Sequence, residues 1–122
     1  MNSPFFDKEK ILKNKYAFAI YDGFPVSRGH VLVIPNRQVK EIFELNNNEY
    51  KECFELVKKV KVFLVKKFKP DGFNIGINCG EIAGQTILHA HIHIIPRYKG
   101  DVKNPRGGVR NVIPKKGNYS TK

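Results

Sequence analysis

Between Leu88 and Pro96 the chain reads Leu88-His89-Ala90-His91-Ile92-His93-Ile94-Ile95, so three of its four histidines occupy every second position of an apolar run. Strict alternation is the signature of a β-strand, whose side chains at i, i+2 and i+4 leave one face. The spacing therefore predicts a strand with the three imidazoles on one face and Leu88, Ala90, Ile92 and Ile94 directed into a core. Burying three imidazoles would demand a hydrogen-bond partner for each. The histidine face is thus expected to carry chemistry rather than packing.

At 122 residues the chain suits a single domain, 1–122, large enough for a core and small enough to profit from oligomerisation. The first ten residues carry Asp7 and Glu9 and no apolar segment, which argues against a secretion signal. No apolar run approaches the length of a bilayer, so a membrane partner is excluded. Cys53 and Cys79 form no CxxC pair and read as reduced thiols of a cytoplasmic protein. The net charge of +11 attracts phosphate-bearing ligands. Many of the lysines interleave with one helical stripe, and no basic patch with aromatic residues between its charges appears. This favours a nucleotide over nucleic acid as the partner.

The remaining pattern reads as an α+β domain with an antiparallel sheet. Tyr16-Ala17-Phe18-Ala19-Ile20-Tyr21 is a strand closed by the turn Asp22-Gly23, and His30-Val31-Leu32-Val33-Ile34-Pro35 is a second. Val39 to Leu45 reads as a short helix. Asn46-Asn47-Asn48 supplies caps for a long helix reaching about Lys69, with Tyr50, Cys53, Phe54, Val57, Val60, Leu64 and Phe68 as its apolar stripe. Phe73-Asn74-Ile75-Gly76-Ile77-Asn78-Cys79 is a third strand, and the histidine strand is expected to stop at Pro96. From about residue 97 a basic, glycine-rich tail follows, in which Arg97, Lys99, Arg106 and Arg110 are candidates for holding additional phosphates.

Two uses of the histidine strand compete. Alternate residues of a strand are about 6.6 Å apart, so His89 and His93 are about 13 Å apart. Zinc needs ligand nitrogens at about 2.0–2.1 Å in a tetrahedron. One ion could therefore take only two of the three, with a further ligand such as His30, and no cysteine pair or well-placed carboxylate completes the shell. Nucleophilic catalysis fits better, because a neutral imidazole attacks phosphorus well and free histidine titrates near 6.5. Crowded imidazoles also resist simultaneous protonation. Only His91 has an imidazole on each side, so one neighbour or a carbonyl can fix its tautomer while the other faces the leaving group. Just upstream, Ala83-Gly84-Gln85-Thr86 can offer backbone N–H groups and the Gln85 and Thr86 side chains to phosphate oxygens.

The stretch Gly84-Gln85-Thr86-Ile87-Leu88-His89-Ala90-His91-Ile92-His93-Ile94-Ile95 resembles the signature of the histidine triad (HIT) family of nucleotide hydrolases and transferases. Phe18 to Asp22 and Gly29 to Pro35 resemble the family's N-terminal half, and the likeness covers nearly the whole chain. It is nearest to the fragile-histidine-triad and dinucleoside polyphosphate hydrolase branch, through Gly29-His30-Val31-Leu32 and Ala83-Gly84-Gln85-Thr86. Third-position His93 differs from the glutamine of the galactose-1-phosphate uridylyltransferase relatives. The cysteine pair of the zinc-binding bacterial members is absent.

The resemblance implies a HIT-like α+β fold: an antiparallel sheet of about five strands with one long and one short helix, the sheets joined across a homodimer. It implies His91 as the nucleophile of a covalent nucleotidyl-histidine, with His93 at the phosphate and leaving group and His89 and His30 supporting the rings. Asp22 would bind the ribose, Asn78 the phosphate or ribose, and Gly84, Gln85, Thr86 and Ile87 the phosphate. Leu32, with Phe5, Phe6 or Ile11, would wall the base. The expected function is hydrolysis or nucleotidyl transfer on nucleoside phosphate conjugates of the diadenosine polyphosphate type. An adenosine phosphoramidase-type purine nucleotide-binding protein and a non-catalytic nucleotide or nucleic-acid binder are the alternatives. No cofactor and no metal is required, although Mg²⁺ can accompany a polyphosphate.

Overall fold

The computed structural model describes residues 2–119; Met1 and residues 120–122 of the expected domain lie outside them. Five strands form one antiparallel sheet: β1 (Leu12–Lys13), β2 (Ala17–Tyr21), β3 (Val31–Pro35), β4 (Gly72–Gly76) and β5 (Ile92–Arg97). Their order is β1-β2-β3-β5-β4, so β5 enters between β3 and β4 and stands near the centre. Opposite residues Ile20 and Leu32, then Leu32 and His93, carry one row of side chains across β2, β3 and β5.

The long helix α1 (Asn47–Phe68) starts on a capping box: Asn46 Oδ1 accepts the Glu49 N–H, and the Glu49 carboxylate accepts the Asn46 N–H. It ends where Lys69 turns left-handed at φ 53°, just before Pro70. Helix α1 covers one face of the sheet, where Leu56, Val60 and Leu64 meet Ala17, Val31, Val33, Ile92 and Ile94. Fully burying a leucine contributes about 1.5–3 kcal/mol. The opposite face is also apolar, with Phe18, Ile20, Leu32 and Ile34 under Phe5, Phe6 and Ile87. Two covered faces explain why β2 and β3 read as nearly continuous hydrophobic runs.

Several local expectations are corrected. The short helix over residues 39–45 shrinks to one 3₁₀ turn, Ile42–Glu44. The Val39 carbonyl accepts the Ala90 N–H and its own N–H donates to the Arg37 carbonyl in a three-residue turn, so neither group is left for a helix there. Strand β4 ends at Gly76 rather than residue 79. Leu56 belongs to the helix core, whereas Phe54 is largely exposed.

The histidine strand begins at Ile92, not Leu88, because the Ala90 N–H is drawn out of the ladder to Val39; Leu88 is exposed. Pro96 does not stop it. The Arg97 carbonyl accepts the Asp71 N–H on the β4 side, so Pro96 faces the other way, beyond the start of β3 at Val31, and its missing N–H is not needed. The Pro96 carbonyl accepts a hydrogen bond from Ser27 Oγ at 2.7 Å.

Candidate active site

On the sheet face away from α1 a cavity of about 420 Å³ gathers Asp22, His30, Leu32 and Asn78 with Gly84, Thr86, Ile87, His91 and His93. The strands explain this convergence, since Ile20, Leu32 and His93 are cross-strand neighbours in its floor. Of the expected base-pocket residues Phe5 lines the cavity, and Phe6 and Ile11 do not. Pro4, Lys8, Gly23, Phe24 and Val26 line it too. The turn chemistry of Asp22-Gly23 masked that role for Phe24: the Asp22 carboxylate accepts the Phe24 N–H at 2.8 Å, which leaves the ring 91% exposed at the cavity mouth.

His91 is oriented by the backbone of its own triad. Its Nδ1 lies 2.7 Å from the His89 carbonyl, and a carbonyl can only accept, so Nδ1 carries the proton and Nε2 a lone pair. The ring sits between Phe5, edge-on at 5.0 Å, and His93, also edge-on at 5.0 Å.

A second chain of hydrogen bonds sets the tautomer of His93. The Val26 N–H donates to His30 Nδ1 at 3.1 Å, so the proton of neutral His30 is on Nε2. That Nε2–H donates to His93 Nδ1 at 3.0 Å, leaving the His93 proton on Nε2. Asp22 Oδ2 lies 3.4 Å from His30 Nε2 and 4.0 Å from His93 Nδ1. Burial lowers the pKa of His30 despite this carboxylate. Burial, reinforced by the neighbouring His91 and His30, pushes His93 down to about 4. His93 is therefore a neutral N–H donor at ordinary pH.

Asp22, His30 and His93 also bring three potential metal-ligand atoms within 4.8 Å of one another. The His30 tautomer opposes that use. With Nδ1 occupied by the Val26 N–H, Nε2 bears a proton where an ion would require a lone pair.

Two expected site residues stand apart from the cavity. His89 is fully buried, contrary to the expectation that all three imidazoles share one face that carries chemistry rather than packing. Its Nε2–H donates to the Pro35 carbonyl at 2.8 Å, and its Nδ1 has no partner among the described residues. Phe5, Phe6 and Phe18 surround the ring, and burial lowers its pKa. His89 thus reaches the site through its carbonyl, not its imidazole.

Gln85 is likewise buried. Its Oε1 accepts the Gly80 N–H, and its Nε2 donates to the Lys40 and Ile87 carbonyls at 2.7 and 3.2 Å. The N–H groups of Ala83, Gly84 and Gln85 are also bonded within the loop. Gly84 at φ 101° permits the turn that brings Thr86 and Ile87 to the cavity. Gln85 therefore shapes the loop before the triad from behind.

None of the tail cations lines this cavity. Arg97 is clamped bidentately by Asp101 at 2.8 Å, and this hydrogen bonding holds the Asp101 carboxyl well below the usual range. Arg106 and Arg110 lie over the Tyr119 ring. No helix of the described residues is long and apolar enough to cross a membrane.

The chain matches the HIT domain family over residues 5–100. It is 39% identical over 93 residues to Protein hit of Bacillus subtilis, spanning 75% of this chain and 64% of that protein. It is 43% identical over 89 residues to the bis(5'-nucleosyl)-tetraphosphatase [asymmetrical] of Schizosaccharomyces pombe, spanning 73% of this chain and 49% of that enzyme. To the AP-4-A phosphorylase of Mycobacterium tuberculosis it is 33% identical over 92 residues, spanning 75% and 47%. The chain thus spans between 47% and 64% of the length of these curated relatives. Among solved structures, a HIT family protein from Bacillus anthracis superposes with a TM-score of 0.73 at 37% identity, covering 77% of this chain and 67% of that one. A member of the family from Bacillus subtilis covers both chains fully with a TM-score of 0.77 at 26% identity. Matched to the family model over residues 5–100 and more than 30% identical to several of its members, the chain belongs to the HIT domain family.

Proposed function

We propose that the chain is a nucleotide hydrolase or nucleotidyltransferase acting on nucleoside phosphate conjugates of the diadenosine polyphosphate type, through a covalent nucleotidyl-histidine on His91. The observation that carries this reading is the pair of fixed tautomers: a lone pair on His91 Nε2 beside an N–H on His93 Nε2, in one cavity. The names of the similar tetraphosphatase and AP-4-A phosphorylase support the substrate class.

In the first step His91 Nε2 attacks the α-phosphorus, a P–N bond forms, and the P–O bond to the leaving group breaks. The departing polyphosphate is a weak base and leaves as an anion hydrogen-bonded to His93. The His89 carbonyl stabilises the Nδ1–H of the resulting imidazolium. Water then adds to phosphorus, the P–N bond breaks, neutral His91 returns, and a nucleoside monophosphate and a proton are released. With phosphate in place of water the product is a diphosphate. Asp22 and Asn78 suit the ribose and phosphate, and Leu32, Phe5 and Ile87 suit the base. No metal is needed to form this nucleophile, although Mg²⁺ can neutralise the polyphosphate.

We further assign the working unit as a cytoplasmic homodimer. Strand β4 is an open sheet edge whose Ile75 is exposed, and the other edge, β1, is only two residues long.

The test is turnover of diadenosine tri- and tetraphosphate and of adenosine phosphoramidate, with and without free phosphate. The expected result is cleavage of the polyphosphates, an acid-labile adduct of nucleotide mass on His91, and loss of both in H91N with nucleotide binding kept. Undiminished turnover by H91N would falsify the assignment. Cleavage of the phosphoramidate alone would favour the phosphoramidase, and binding without any turnover the non-catalytic binder.

A further inference from the structure

A second cavity, of about 410 Å³, opens on the same sheet face as the catalytic one, and Val26 is a wall of both. On β5, His93, Ile95 and Arg97 alternate onto this face. His93 belongs to the first cavity and Ile95 and Arg97 to the second. The second cavity therefore begins about 7 Å beyond His93 and extends to about 13 Å along the strand. The apolar floor of the first, Ile20 and Leu32, lies across β2 and β3 on the other side of His93. The order across the sheet is apolar pocket, catalytic histidines, second cavity.

We infer that the second cavity is the subsite for the leaving group's own nucleoside, so that a dinucleoside polyphosphate lies across His93 with one nucleoside in each cavity. This rests on the function proposed above. The lining identifies the chemical class. Arg97 is neutralised by Asp101 and donates to Asn74 Oδ1 at 2.6 Å, so no unpaired guanidinium is offered there to a phosphate. Beside that pair, and Ser27 whose Oγ is spent on the Pro96 carbonyl, the polar lining is three amides, Asn74, Asn104 and Asn111, set among apolar residues that include Ile95 and Val102. Apolar walls with a few placed amides suit a nucleobase, whose faces are apolar and whose edges pair with carboxamides. The volume lies in the ordinary range for a small-molecule site, roughly 300–1,000 Å³. Val102 is 47% exposed, and a base seated here would cover it.

The chemistry is consistent with this placement. The scissile P–O bond lies over His93, and the group that departs moves toward Ile95, away from the nucleotide held on His91. A substrate with a small leaving group would use only the first cavity.

The test compares diadenosine triphosphate with adenosine phosphoramidate, which share the transferred nucleotide and differ in the group that leaves. Two variants alter the second cavity alone: V102W fills it, and N104D keeps the oxygen that accepts the Arg106 N–H while replacing the amide donor by a charge. In both, KM for the diadenosine substrate is expected to rise by about tenfold or more, with kcat/KM for the phosphoramidate within about twofold of wild type. Retained phosphoramidate turnover shows that the variants are folded. Equal losses on both substrates, or no change on either, would overturn the inference. If the wild type cleaves only the phosphoramidate, the second subsite is refuted while the histidine chemistry stands. If it cleaves neither, the proposed function falls and this inference with it.

Discussion

His30 Nε2 lies 3.0 Å from His93 Nδ1, although 63 residues separate the two along the chain. The contact determines which nitrogen of His93 carries its proton. Because the Val26 N–H occupies the far side of the His30 ring, the direction of donation runs one way, from His30 to His93. A backbone N–H in the loop after β2 thereby controls a side chain on β5.

Removing that control should damage chemistry more than binding. The variant H30Q keeps bulk but loses the two-sided ring, so His93 is free to present either tautomer. We expect kcat for diadenosine polyphosphates to fall on the order of 10²-fold with KM little changed. A nucleotide ester with a strongly activated leaving group should lose much less, since it needs little help from His93. Steady-state kinetics on the two substrates decides it; an equal loss on both would point to collapse of the site.

Acid should weaken the fold. His93 titrates near 6.5 when unfolded and at about 4 when folded, so between these values the unfolded chain binds more protons. Its contribution is fully present above pH 6.5 and is lost as pH falls through 4, a decrease of about 3 kcal/mol. The lowered pKa values of His30 and His89 act in the same direction. Thermal melting from pH 7 to pH 4 should show a falling Tm, with a shallower slope in H93N.

Gln85 predicts a stability effect without chemistry. The variant Q85A leaves the Gly80 N–H and the Lys40 and Ile87 carbonyls without their partner, a cost of about 2–3 kcal/mol in urea unfolding. Q85E should be at least as damaging, because a carboxylate cannot donate to either carbonyl. An unchanged unfolding midpoint in both would remove the scaffold role.

Phe24 offers a direct optical reading of base binding. The chain contains no tryptophan, so F24W carries a single indole at the cavity mouth. Titration with adenosine monophosphate should quench its fluorescence by stacking, whereas ribose 5-phosphate should not. Calorimetric binding of the nucleotide with no change in emission would place the base elsewhere.

Much of the site was legible because the relevant residues are close in sequence. The alternation of His89, His91 and His93 and the loop before them put His91, His93, Thr86 and Ile87, all residues of the cavity, within one short stretch. The neighbourhood of Asp22 and His30 was legible only through resemblance, since nothing local ties residue 22 to residue 93. His91 was singled out by its place between two imidazoles, but the burial of the His89 ring was not legible. Period-two spacing assigns all three rings to one face, but it holds only inside a ladder, and His89 and His91 lie before the ladder begins at Ile92. There the Ala90–Val39 bond redirects the chain, and the His89 ring is buried under Phe5, Phe6 and Phe18.

By itself the sequence determined the secondary-structure period, the capped helix, the charge and the kind of chemistry, all of which depend on residues a few positions apart. Tertiary structure alone decided which ring nitrogen of His91 and of His93 carries the proton, and that the His89 ring is packing. Those states depend on hydrogen bonds donated by Val26 and His30 and accepted by the Pro35 carbonyl, whose positions beside the triad follow from strand order and register rather than from spacing along the chain.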